Sequence, residues 1–367
     1  MRPLCCIACL AVLLAACGGG APEERGASWP WFSDTLRPAD SIGVEMGDSC
    51  LMFGRISGVV PLGEGRLAVL DGISCRVSVF SSSTGDFLWS FGRRGEGPGE
   101  LLEPSSMTAL PCGDLLVHDS MRASVERYGA SGRHLGSAPT GQFTRFLCFE
   151  GLTDSSFLGY SFDVERTADG FDMGYVIAEY SAGSGQRLRV YFEDMRPMEE
   201  DEPDFSGAYK SVATDGRGRV FISDMAAERY GIRVLDAAGS PLDTFELDAG
   251  LVEMDMETDV GYVMPVFTVG VRYQEDDSAG GAIVSSRPGL RPFVADMGVD
   301  SAGNLWARRG TVDDHVWDVF SPDGEHVGEV VLRGVPEDEL VLLHLNRHGM
   351  AATLPFTDEY PRVYLFR

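Results

Sequence analysis

The sequence predicts an all-β protein: a six-bladed β-propeller built from four-stranded antiparallel blades. A glycine-led strand module returns every 40 to 50 residues along most of the chain. No amphipathic helical pattern runs longer than about three turns. The two ends each read as one part of an unfinished blade, so that together they close a ring.

The module comes first. Gly65–Asp71 (GRLAVLD) is echoed by Gly113–Asp119 (GDLLVHD) and Gly218–Asp224 (GRVFISD), with Gly303–Ala307 (GNLWA) as a worn copy. In each, glycine closes a tight turn and an apolar strand follows. A second half then recurs: Val77–Phe80 with Gly85, Val125–Tyr128 with Gly132, Ile232–Leu235 with Gly239, and Val316–Phe320 with Gly324. Each reads as a strand, a turn and a further strand. A looser copy pairs Phe157–Tyr160 with Val176–Tyr180 and Gly185. Anchors at 65, 113, 155, 218 and 303 leave gaps of 48, 42, 63 and 85 residues. The last gap holds residues 249–291, read as an insertion or as a degenerate blade that would make seven. Arg362–Arg367 reads as a third strand with no fourth after it, and Ser41–Met46 as a lone strand that supplies it. The propeller domain is thus assigned to residues 39–367.

Ahead of it, Arg2 and the apolar run Leu4–Leu14 have the proportions of a signal peptide, too short for a spanning anchor. The run ends in Leu14–Cys17 (LAAC), which resembles the lipobox of bacterial lipoproteins. That resemblance implies a signal peptide over 1–16, acylation (palmitate among the chains) at Cys17, and a linker over 17–38. Two or three acyl chains at about 0.8 kcal/mol per buried methylene give stable anchoring. Gly18 in place of an inner-membrane retention aspartate favours the outer membrane, on its periplasmic face or at the cell surface.

Phe91–Leu101 (FGRRGEGPGEL) resembles the inter-blade segment of NHL-like propellers, and Phe53–Val60 (FGRISGVV) the entry to the first blade of bacterial six-bladed propeller lipoproteins. The resemblance, to the NHL-like and TolB-like propeller superfamily, implies the fold more than an activity, because propellers host both binding and catalysis.

The charge narrows the function. With 56 acidic against 30 basic side chains, a net −26, the chain is no nucleic-acid binder. The loops after Asp71, Asp119 and Asp224 share a rim with the inter-blade segments. They carry Arg76, Arg122 and Arg229, with Arg308 or Arg309 in the fifth copy and Arg93 and Arg94 in the connector. Guanidinium forks suit carboxylate or phosphate recognition. The reading is a monomeric binding module for a protein or an anionic envelope ligand; in the alternative use of these residues, the aspartates and arginines satisfy their own loops. The alternating acids Glu253, Asp255, Glu257 and Asp259 lack a calcium-loop pattern and read as a solvated acidic loop.

No nucleophile elbow, Walker loop or dinucleotide fingerprint occurs. His344 and His348 have a spacing that would need a helix to converge, in what reads as strand or turn. No cofactor is expected from the sequence. The alternative function is a propeller hydrolase or lyase, lactonase-like or amidating-lyase-like, with calcium or zinc in the central channel and His118 and His315 reaching it. Of eight cysteines, Cys50, Cys75, Cys112 and Cys148 would remain beyond the anchor, as free thiols or in any of three disulfide pairings.

Overall fold

The computed structural model describes residues 32–141, 144–168, 170–197, 209–224, 229–250, 293–310, 315–336, 341–354 and 359–366. Among these residues there is no helix, and so none long and apolar enough to cross a membrane. The first described strands are two short ones, β1 (Phe32–Leu36) and β2 (Asp40–Ile42). Blade 1 is β3 (Ile56–Leu62), β4 (Arg66–Asp71), β5 (Arg76–Ser81) and β6 (Phe87–Phe91). Blade 2 is β7 (Pro104–Ala109), β8 (Leu115–Asp119), β9 (Ser124–Tyr128) and β10 (His134–Pro139). The longer blade 3 comprises β11 (Arg145–Thr153), β12 (Ser156–Arg166), β13 (Phe171–Ser181) and β14 (Arg187–Pro197). Blade 4 follows as β15 (Lys210–Thr214), β16 (Val220–Asp224), β17 (Tyr230–Leu235) and β18 (Pro241–Leu247). Blade 5 holds β19 (Asp296–Val299), β20 (Leu305–Arg308), β21 (Val316–Phe320) and β22 (His326–Leu332). Blade 6 has β23 (Leu342–Asn346), β24 (Gly349–Thr353) and β25 (Val363–Leu365), and takes β2 as its fourth strand.

The innermost strands β3, β7, β11, β15, β19 and β23 contact one another in a closed cycle. Six blades therefore complete the ring, and blade 4 meets blade 5 directly; residues 251–292 lie outside the described residues. The expected closure forms in the register Asp40↔Leu365, Ser41↔Tyr364, Ile42↔Val363. The strand is shorter than Ser41–Met46: it begins at Asp40 and ends at Ile42, before Gly43, where φ is +133° and an added Cβ would lie 2.6 Å from the Pro361 carbonyl oxygen.

Burial follows from blades stacking face against face. Second strands are covered on both sides, so Leu67–Leu70 and Leu115–Val117 are near-continuous apolar runs at 2% exposure or less. Outer strands alternate instead, as β10 and β14 do. Six hydrophobic clusters mark the six junctions. At the seam, Ile42, Val363 and Leu365 of blade 6 pack with Val59, Leu67 and Phe80 of blade 1.

One element was not foreseen. β1 falls within the stretch assigned to the linker, yet it pairs parallel to β22, Phe32↔Gly328 through Leu36↔Leu332, as a fifth strand on blade 5. A parallel fifth strand breaks the repeat, and a five-residue segment with three polar residues carries little periodicity.

Candidate functional site

Two places concentrate chemistry: the rim of second-to-third-strand loops and connectors, and the central channel. On the rim of blades 1 and 2, the loop aspartate ties down the connector that precedes its blade. Asp71 accepts the backbone N–H groups of Gly54, Arg55, Ile73 and Ser74 at 3.0–3.3 Å. Asp119 accepts those of Leu102, Glu103 and Arg122 at 2.6, 3.1 and 3.2 Å.

The arginines bind over this frame. Arg76 donates to the Ser49 carbonyl at 2.9 Å, and its Nε is buried without a partner. Arg94 donates to the carbonyls of Leu102 and Ile73, both at 3.0 Å. Arg122 reaches the Gly97 and Glu100 carbonyls at 3.2 and 2.6 Å, with Glu126 at 4.0 Å. Arg93 pairs with Glu100 while its side chain stays 80% exposed. The Gly97 N–H and the Arg93 guanidinium hold the Glu100 carboxyl below its usual range.

A carbonyl partner orients a guanidinium without neutralising it. Arg76 and Arg94 form no ion pair among the described residues, and neither does Arg55, whose Nε donates to Ser57 Oγ at 3.3 Å. These three flank the loop 71–76, whose tip carries Ile73 at 55% exposure. Arg55 was not among the sequence candidates, although Phe53-Gly54-Arg55 repeats Phe91-Gly92-Arg93 and offered the signal. Arg229 is exposed at the blade 4 loop. The fifth copy departs from the set: Arg308 is buried in β20, and Arg309 pairs with Asp318 and Glu329 in its own sheet.

The channel is a cavity of about 300 Å³ lined by all six inner strands. Glu150, Asp296 and His344 are ionisable groups of its wall, with Asp215, Arg347 and His348 also lining it, and Phe146 and Phe149 of β11 stack at 5.3 Å. At the mouth formed by first-to-second-strand turns, Arg347 crosses from blade 6 to the Pro111 carbonyl at 2.5 Å, and Asn346 Nδ2 reaches the Pro61 carbonyl at 3.0 Å. Burial pushes the Glu150 carboxyl up to about 8, against the pull of the Thr214 N–H at 2.8 Å. Burial also lifts Asp296 to about 6, with Arg308 opposing it. His344 shares a 2.9 Å hydrogen bond with Thr353 Oγ1, and burial lowers its imidazole to about 4.

His348 lies in the turn after β23, so the pair His344 and His348 does not sit on a helix. Neither His118 nor His315 lines the channel, contrary to the metal reading. His118 sits on a second strand, 1% exposed, 2.8 Å from Ser105 Oγ. Burial lowers it to about 4, which makes it a poor base for activating that serine. No group of three His, Cys, Asp or Glu side chains able to hold a metal occurs among the described residues. The calcium reading of Glu253–Asp259 lies outside them. Cys50, Cys75, Cys112 and Cys148 are all free thiols, which settles the open question of pairing.

No protein-family model matches the chain, and no curated protein does. Solved structures with a similar fold include a member of the DUF4221 family from Bacteroides vulgatus, at 11% identity and TM-score 0.53, covering 90% of this chain and 97% of that one. A putative exported protein from Bacteroides fragilis aligns at 12% identity and TM-score 0.44, over 92% and 99% of the two chains. Regucalcin from Agrobacterium tumefaciens, described as calcium-binding, aligns at 11% identity and TM-score 0.40, over 91% and 95%. At these identities the likeness is one of fold: the chain is a six-bladed β-propeller.

Proposed function

We propose that this propeller is a lipid-anchored binding module of the cell envelope, held by acylated Cys17 in the outer membrane, and that its rim takes an anionic envelope ligand or a carboxylate-rich loop of a partner protein. The observation that carries the reading is the trio Arg55, Arg76 and Arg94. These are three guanidiniums held in place by oxygen acceptors, without ion-pair partners among the described residues, around an exposed apolar tip. On a chain of net charge −26, such a patch is a local exception that favours one sign of partner. Exposed Arg93 and Arg229 and the half-buried Arg122 extend it along the rim.

The test uses fluorescently labelled protein carrying Cys17→Ser, which removes the proposed anchor, and envelopes isolated from the native cell. Saturable binding that weakens as salt rises and disappears in R76E/R94E is expected. Binding that is unaffected by both salt and charge reversal would overturn the reading.

A further inference from the structure

Glu150 stands out in the channel wall as a carboxylate with no basic counter-ion. It projects from β11 into the cavity, and among the described residues no arginine, lysine or histidine pairs with it. Its Oε2 is fixed by the Thr214 N–H from blade 4 at 2.8 Å, and the Cys148 thiol is its neighbour on β11. Asp296 from blade 5 lines the same cavity and its charge raises Glu150 further, while Arg308 stands beside Asp296. Arg347 from blade 6 keeps its charge at the mouth, held on the Pro111 carbonyl with His348 beside it, and forms no ion pair with Glu150. His344 bonds Thr353 Oγ1, and Asp215, just after β15, is paired with Arg219. Glu150 therefore has no cation of its own within pairing distance among the described residues. On the same strand as Glu150, Phe146 and Phe149 add a stacked aromatic pair to the wall. A concave, largely apolar site with a few convergent polar groups is the usual form of a small-molecule pocket, and this volume lies at the lower end of that range.

We propose that the channel is a second binding site, separate from the arginine rim, for a small amine-bearing molecule with an apolar body. The ammonium replaces the proton on Glu150, and the body lies against Phe146 and Phe149. Ammonium suits this place twice: it pairs with the carboxylate, and it is attracted to aromatic faces. An anion would meet the uncompensated carboxylate, and a neutral apolar molecule would leave that group without its cation.

The experiment is calorimetric titration of the full-length protein in detergent with phenethylamine, phenylacetate and benzyl alcohol. Phenethylamine is expected to bind at pH 8.5 and the other two not. Because the ligand displaces a proton held up to about pH 8, its affinity should fall about 25-fold at pH 6.5, with nearly one proton released per ligand bound. Glu150→Gln keeps an acceptor for the Thr214 N–H and should abolish binding. R76E/R94E should leave it unchanged, which keeps this result distinct from a failure of the rim reading. Absence of phenethylamine binding at pH 8.5, equal binding of phenylacetate, or undiminished binding by folded Glu150→Gln would each overturn the proposal.

Discussion

Asp119 is wholly buried and accepts three backbone N–H groups that belong to no ladder, so the start of blade 2 hangs on one side chain. Truncating it would strand all three donors in a dry place. Asp119→Ala should lose roughly 2–4 kcal/mol of stability in urea unfolding, while an exposed control such as Asp243→Ala should lose almost nothing. The recurrence of this aspartate was legible in the sequence, but its partners were not, since they lie up to 17 residues back along the chain. Nor did the repeat guarantee the same role: Asp224, at the matching place in blade 4, pairs with Lys210, the only lysine. Glu150 gives a pH signature. Its folded pKa, about 8, lies above the ordinary 4.5, so its contribution is fully present below about pH 4.5 and lost as pH rises towards 8. Melting curves of the wild type and Glu150→Gln should therefore diverge across that window, the wild type falling relative to the variant, and run parallel above it. Parallel curves throughout would show that the carboxyl is not perturbed.

At the scale of elements, the turn between third and fourth strands explains why one glycine recurs in five blades. Gly85, Gly132, Gly185, Gly239 and Gly324 all have φ between +71° and +86°. Each also faces the outer part of the preceding blade. A Cβ on Gly185 would lie 1.8 Å from the Pro139 carbonyl oxygen, and one on Gly132 would lie 2.6 Å from the Phe91 ring. Left-handed backbone and a blade-to-blade contact thus coincide. Gly185→Ala must push two blades apart and should destabilise by about 2 kcal/mol or more, read as a lower urea midpoint. Gly136→Ala, with nothing within 4 Å of its Cβ, is the control and should change little. These glycines are visible as punctuation, which is why five modules are legible in the sequence. Their second duty was hidden, because the neighbour in space comes from another blade. Closure was equally legible, since β25 has no fourth strand after it in its own blade and β2 pairs with no other strand. The β1 strand was not, because an edge addition leaves no partner in the sequence pattern.

For the molecule as a whole, ring closure leaves a body whose outline the sequence foretold and whose sites it foretold unevenly. The arginine rim was readable from residue type and repeat position, but the division among its members was not. Arg93, Arg308 and Arg309 meet nearby acids or burial, while Arg55, Arg76 and Arg94 keep their charge on oxygen acceptors. The channel was less readable still, since Glu150, Asp296 and His344 come from different blades and share no motif. Anchoring belongs to this scale too. Cys17→Ser should move the protein from the membrane pellet to the soluble fraction after cell lysis; retention in the pellet would contradict lipidation as the tether.

The most direct test of the rim's role is site-specific photo-crosslinking in the native cell. A photoreactive residue at Ile73, at the exposed tip between Arg76 and Arg94, is compared with one at exposed Ser301 on the opposite rim. A crosslinked species at residue 73, absent at 301 and lost in the R76E/R94E background, is predicted. Equal crosslinking at both positions, or a product at 73 that survives the charge reversal, would contradict the account.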